Sequence, residues 1–334
     1  MNNTRVPNRP AVDGLALHDL ARRASFLWER LAAPTSSLTA ADRRDDTAVR
    51  QRIQRWSARL RPLNLPDDEA ISKRLAWDGL DAAVVSSCLA DDCDSPYDRL
   101  PNWAHTMAAI SEGARAWHAS GGAARGPVSG GLPFEPLFEP IRLLGRQRLA
   151  ERLARSGRAM LHDRMSAACA EQFERALMSR LAATSAKALM HEFSSGLPLG
   201  EQLLRRLAAP APNAGSTHFQ RFVDSMLQDG FATLFNRYPV LARLMATLLD
   251  GWVETTACLV ERLTADYSLL QETFSSPSVS LGQVATLQLA LSDAHRGGSS
   301  TVVLGFDSGI RLLYKPKSLA LDVAYNRLLQ WCND

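Results

Sequence analysis

The chain has very little lysine. It carries only four, so 34 of its 38 basic residues are arginine. An excess of one charge sign is also missing. Asp and Glu number 35, the net charge is +3, and the pI is near 8.7. With basic and acidic residues interleaved, so small a bias excludes the basic stripe of a nucleic-acid binder. Cysteine is sparse and odd in number: Cys88, Cys93, Cys169, Cys258 and Cys332. No Cys-x-x-Cys pair occurs. A disulfide framework is therefore not expected, and a reducing, cytoplasmic setting is. Cys88 and Cys93 flank Asp91 and Asp92, but no His or third Cys stands nearby to complete a metal loop. No apolar run approaches the roughly 20 residues a membrane span requires. The most apolar stretch, 240–260, is interrupted by Arg243, Asp250 and Glu254, which suits a buried amphipathic helix. Residues 1–14 are polar with scattered Pro, so no secretory signal is visible.

What is abundant is helical periodicity. Residues 15–33 read as one helix with Leu20, Leu27 and Leu31 at helical spacing and Trp28 beside them. Further helices are expected over 42–60 (Val49, Ile53, Trp56), 67–80 (Ile71, Leu75, with Trp77 inward) and 102–118. Trp28, Trp56 and Trp252 fall on apolar stripes and are assigned to the core. The pairs Gly121-Gly122, Gly126-Pro127 and Gly130-Gly131 mark a linker. Residues 136–207 are rich in Ala, Arg and Leu, with a helix break at Gly196-Leu197-Pro198. Helices resume over 217–235 and 239–273, with Pro239 suited to a first helical position. Strand-like sequence appears only after about residue 280. The resulting division is an N-terminal helical region (1–120), a Gly/Pro linker (121–133), a helical segment (134–280) and a β-containing segment (281–334). The expected fold class is mainly α with a small β-hairpin or sheet near residues 283–315.

Two of the four lysines sit in one tetrad, Tyr314-Lys315-Pro316-Lys317. It ends a strand-like run, 310–314. A Gly- and Ser-rich turn, Gly297-Gly298-Ser299-Ser300, precedes another strand-like run, 301–306, and Asp307-Ser308-Gly309 reads as the hairpin turn. Gly-rich turn, strand, hairpin and strand ending in Lys is the order in which kinase-type folds hold ATP phosphates. An ordinary hairpin with an exposed Lys is the competing account, since short Gly-rich matches are weak. No Glu lies between Lys315 and the final residue, so the usual protein-kinase Lys–Glu pair is not encoded in the last helix. Its acid, Asp322, sits in the first turn, where it suits the helix dipole.

Several separated blocks resemble class II lanthipeptide synthetases (LanM), in that family's order. They are Phe134-Glu135-Pro136-Leu137-Phe138 with Gly145-Arg146-Gln147-Arg148-Leu149, then Tyr238-Pro239-Val240-Leu241-Ala242-Arg243-Leu244. Asp293-Ala294-His295-Arg296-Gly297-Gly298 and Leu313-Tyr314-Lys315-Pro316-Lys317-Ser318-Leu319 follow. The resemblance runs from about residue 125 onward. It implies the N-terminal part of an atypical, lipid-kinase-like dehydratase domain. Such enzymes phosphorylate Ser and Thr of a ribosomal leader–core precursor peptide with ATP and Mg²⁺, then eliminate phosphate to leave dehydroalanine and dehydrobutyrine.

By that resemblance Lys315 is the phosphate-anchoring lysine, with Lys317 in support. Gly297 and Gly298 bring backbone N–H groups to the phosphates. Asp293 and His295 occupy the phosphate-side loop and assist elimination, His295 by donating to the leaving phosphate and Asp293 by orienting it or aiding deprotonation. Their plainer readings are a surface histidine and a turn carboxylate. The chain departs from the family at Ser299, where Arg is common, and at Lys317, again commonly Arg. The metal-binding carboxylates and base of a second lobe, and the zinc ligands of a cyclase domain, are expected on a further part of the synthetase. These residues alone are not expected to dehydrate a peptide. The alternative is a non-catalytic helical scaffold or leader-peptide-binding remnant.

Overall fold

The computed structural model describes residues 16–32, 47–58, 67–80, 82–89, 95–122, 131–157, 164–196, 217–275, 280–289 and 298–333. Most of these are helical. In chain order the helices are α1 (Leu17–Arg23), α2 (Leu27–Ala32), α3 (Thr47–Ala58), α4 (Asp67–Trp77), α5 (Ala82–Cys88) and α6 (Asn102–Ala119). They continue with α7 (Glu139–Ser156), α8 (Ala167–Ser195), α9 (Thr217–Gln228), α10 (Ala232–Arg237), α11 (Pro239–Phe274) and α12 (Ala320–Asn333). The strands are β1 (Val284–Gln288), β2 (Val302–Phe306) and β3 (Arg311–Tyr314). The expectation of a mainly α chain with a small sheet at 283–315 is met. None of the described helices is long and apolar enough to cross a membrane.

Two compact units divide the chain, residues 1–108 with 232–243, and residues 109–231 with 244–334. In the first, Leu20, Val85, Met107 and Phe235 are buried. Its polar centre is Arg243. The guanidinium donates to both Glu29 carboxylate oxygens at 2.5 and 2.8 Å and to the Tyr97 hydroxyl at 3.1 Å. It also lies 3.7 Å from the Phe26 ring centroid. Burial would raise the Glu29 pKa, but the hydrogen bonds from Arg243 and the Phe26 N–H outweigh it and hold the carboxyl below its usual range. The Tyr97 hydroxyl is pushed up, first by burial and then by Glu29.

The same contacts explain why one expected helix is two. The Ser25 hydroxyl donates to the Arg22 carbonyl at 2.5 Å, and the Phe26 N–H donates to Glu29 at 2.7 Å, which closes α1 and starts α2. Trp28 is not core as expected. It is 65% exposed and stacks on Phe26 at 4.4 Å. Trp77 is 76% exposed rather than inward, because the buried stripe of α4 runs through Leu75. The Trp56 side chain lies outside the described residues, and Trp252 is buried as expected.

In the second unit α7, α8 and α11 pack closely. Gly145 of α7 makes this possible: a Cβ there would stand 3.0 Å from Leu249 and 3.2 Å from Trp252. The Trp252 indole N–H donates to the Phe173 carbonyl at 2.9 Å. Arginines of α7 form a ladder of ion pairs beside this contact. Arg142 and Arg146 reach Glu174, Arg148 reaches Asp250 at 3.0 Å, and Arg152 reaches Glu254 and Glu261 at 3.0 and 2.7 Å. The Phe134–Phe138 block has a comparable structural role. Phe134 takes a left-handed conformation (φ 56°), and its ring meets Phe193 and Phe219 with centroids about 6 Å apart (6.1 and 5.9 Å). The segment 217–235, expected as one helix, is α9 and α10. They are separated by a turn at 229–231, where Gly230 and Phe231 have positive φ and Ser111 donates to the Gly230 carbonyl.

The sheet is antiparallel in the order β1-β2-β3. Val284 pairs with Phe306, Leu304 with Leu287 and Leu312, and Val302 with Tyr314. An irregularity between Val284 and Thr286 bends β1. The start of α8 is bound to β1, since the Ser166 N–H and the Cys169 thiol both donate to the Val284 carbonyl, at 3.0 and 3.1 Å. Asp307-Ser308-Gly309 is the hairpin turn, as expected. Asp307 additionally accepts from the Gln283 N–H at 3.0 Å, which closes the sheet at that end.

Candidate functional site

The antiparallel register decides what the Gly-rich turn and the lysine tetrad have in common. Because Val302 pairs with Tyr314, the residues before β2 and those after β3 emerge at the same end of the sheet. Gly298 and Lys315 are therefore brought to one edge, as the sequence pattern requires. Asp293, His295 and Gly297 lie outside the described residues.

Strand alternation then separates the two by face. Along β3, Leu312 and Tyr314 are half-buried on the helix side, while Arg311 and Leu313 are exposed on the other. Lys315 continues the exposed series, and Lys317 is exposed as well. Lys315 makes no ion pair with a described residue, which leaves its ammonium open to a ligand on the outer sheet face. Gly298 instead lies against α8. A Cβ at this position would stand 3.0 Å from the Arg180 guanidinium, and its φ of +115° is one that side chains rarely adopt.

Between Gly298 and the helices is a cavity of about 360 Å³, lined by Arg180, Trp252, Arg262, Ser300, Tyr314 and Pro316 among others. Arg262 of α11 donates to the Tyr314 hydroxyl at 2.9 Å. Burial raises the Tyr314 pKa, and Arg262 opposes that rise without reversing it. Glu254 is an acid on the cavity wall. Its hydrogen bond from Arg152 is the main reason its carboxyl sits below the usual range. Cys258 donates its thiol to Glu254 at 3.3 Å and is pushed up, first by burial. Neither Arg180 nor Arg262 was distinguishable in the sequence, where each is one arginine of 34 in an ordinary helical stripe.

Among the described residues no group of three or more His, Cys, Asp or Glu is placed to hold a metal ion. His218 packs its ring on Phe193 with centroids 5.0 Å apart, as a structural residue of the aromatic cluster. His191 is exposed on α8.

A family model described as a domain of unknown function (DUF4135) matches residues 238–334. The match takes in α11, the whole sheet and α12, and so every residue of the candidate site except those on α8. No curated protein matches the chain.

Proposed function

We propose that the chain is the helical body and phosphate-binding hairpin of a class II lanthipeptide synthetase, a peptide dehydratase of the kinase and phosphate-lyase type working in the cytoplasm. The observation that carries this reading is that Gly298 and Lys315 emerge at the same end of a three-stranded antiparallel sheet, one toward each face. That sheet lies within a matched domain known from lanthipeptide synthetases.

On this reading ATP supplies the phosphoryl group when bound. A Ser or Thr oxygen of the precursor peptide attacks the γ-phosphorus as the bond to ADP breaks, and the hydroxyl proton passes to a base. In the second step the peptide Cα loses a proton, the Cβ–O bond breaks, and phosphate leaves with that electron pair. Lys315 offsets phosphate charge through its exposed ammonium. His295 donates a proton to the departing phosphate, and Asp293 orients it or assists removal of the Cα proton. Gly298, and Gly297 beside it, let backbone N–H groups approach an anion. Lys317 adds charge at the same edge. Mg²⁺, when bound with ATP, would neutralise phosphate charge, and among the described residues no cluster of three or more acidic, His or Cys side chains is placed to hold it.

The test is mass spectrometry of the precursor peptide after reaction with the synthetase containing this chain. Lys315→Ala is expected to lower phosphorylation at least about 100-fold, the usual cost of removing one group that stabilises transition-state charge. His295→Ala and Asp293→Ala are expected to accumulate phosphorylated peptide. Full dehydration by Lys315→Ala would overturn the assignment.

A second reading, a non-catalytic scaffold that binds the leader peptide, is favoured by α12. This helix has no buried residue and exposes Leu321, Tyr325 and Leu328. It replaces the first reading if Lys315→Ala leaves phosphorylation intact while Leu321→Ser with Leu328→Ser abolishes leader binding.

A further inference from the structure

Five arginines of the second unit are matched to acids, and Arg180 is not. Arg142, Arg146, Arg148, Arg152 and Arg175 each hold a carboxylate. Arg180, half-buried on α8, has no hydrogen bond or ion pair to any described residue, although it faces a cavity. A guanidinium left this way gives up hydration without a partner, which is costly unless a ligand supplies one.

The surroundings specify that ligand. Arg262 lines the same cavity and spends its hydrogen bond on the neutral Tyr314 hydroxyl, not on an acid. Glu254, the carboxylate on the wall, is already engaged by Arg152 at 3.0 and 3.1 Å. Glu261 is taken by Arg152, and Asp266, the acid near Tyr314, makes no ion pair with Arg180. The remaining wall near Arg180 is the Gly298–Ser300 segment, with its two serine hydroxyls. Gly298 has no side chain to intrude, and a Cβ there would press on Arg180.

Two guanidinium forks, hydroxyl donors and a close backbone approach are the donor set that binds phosphoryl oxygens. The geometry points to a phosphoryl-anion site between Arg180, Arg262 and the Gly298–Ser300 segment. It lies on the helix side of the sheet, opposite the face that presents Lys315. The volume of about 360 Å³ exceeds what a lone phosphate fills and accommodates a small phosphate monoester. The site does not depend on the nucleotide reading of Lys315.

Isothermal titration of the 334-residue chain with inorganic phosphate, and separately with O-phosphoserine, tests this at constant ionic strength. One saturable site is expected. Tighter binding of O-phosphoserine identifies a monoester site, and tighter binding of phosphate a free-anion site; both support the assignment. Arg180→Gln is expected to weaken binding at least about tenfold, the loss typical of one charge-assisted hydrogen bond. Gly298→Ala, which keeps both arginines but crowds Arg180, is expected to do the same. Lys187→Ala, an exposed charge on the same helix, is expected to bind phosphate as the parent chain does. Circular dichroism melting checks that each variant is folded, and Gly298→Ala keeps the test open if Arg180→Gln is not. Parent-like affinity in the folded variants, or no saturable binding by the parent at millimolar phosphate, would overturn the site.

Discussion

Helices α9 and α12 are of similar length and both carry an apolar stripe, yet their fates are opposite. On α9 the stripe is Phe219, Val223, Met226 and Leu227, all buried. Phe219 completes the aromatic cluster with Phe134 and Phe193. On α12 Leu321, Ala324, Tyr325 and Leu328 share one face at helical spacing, but every side chain is exposed. Periodicity states which face of a helix is to be covered. It does not state by what, because cover depends on contacts far away in sequence.

The largest break in this comparison is expected at the aromatic cluster. Phe193 is fully buried, so Phe193→Ala should cost about 3–5 kcal/mol through lost transfer energy and an unfilled cavity. Chemical denaturation read by circular dichroism measures it. A loss below 1 kcal/mol would mean that the cluster collapses around the gap. The matching change on α12, Leu328→Ser, should fall within about ±0.5 kcal/mol, as for an exposed site.

Removing Arg243 should cost about 3 kcal/mol, because Glu29 would remain half-buried without its partner. Calorimetry of Arg243→Ala against the parent chain checks this. A pH dependence follows from the same pair. The Glu29 pKa is lowered on folding, so its contribution is complete above the usual glutamate value of 4.5 and is lost as pH falls below that value through the folded one. Melting temperature should therefore drop less steeply below pH 4.5 in Glu29→Gln than in the parent chain. Equal slopes would remove Glu29 from the acid response.

Gly145→Ala should be the smallest of the core effects, about 1–3 kcal/mol, since one methyl must be absorbed at 3.0 Å from Leu249. Its thermal melt sharpens the comparison. A cost near zero would show that α7 shifts as freely as the uncovered α12.

The elements legible in the sequence are those fixed by local chemistry. Pro239 opens α11 and the helix runs to Phe274, one residue beyond the expected end. The Asp307-Ser308-Gly309 turn placed β2 and β3. Breaks made by tertiary partners were not legible. The gap between α1 and α2 needs Glu29 held by Arg243 from the distant helix α11, and the turn at 229–231 needs a hydroxyl from Ser111. Trp28 and Trp77 fit helical stripes but find no core beneath them. Of the candidate site, the emergence of Gly298 and Lys315 at one end of the sheet was legible because a hairpin enforces it. Arg180 and Arg262 were not, since only the packing of α8 and α11 against the sheet edge makes two arginines of 34 neighbours.

The burial of Cys169 where it meets the Val284 carbonyl sorts it from the other described thiols. Cys169 is fully buried, and burial pushes its pKa up, so little thiolate is available there. Cys88 is buried too, and Cys258 is partly buried with its thiol pushed up. Cys332, near the end of α12, is exposed. Among the described residues, brief maleimide labelling should therefore favour Cys332, placing a fluorophore beside the uncovered stripe. Its emission would then report directly on whatever comes to cover that helix.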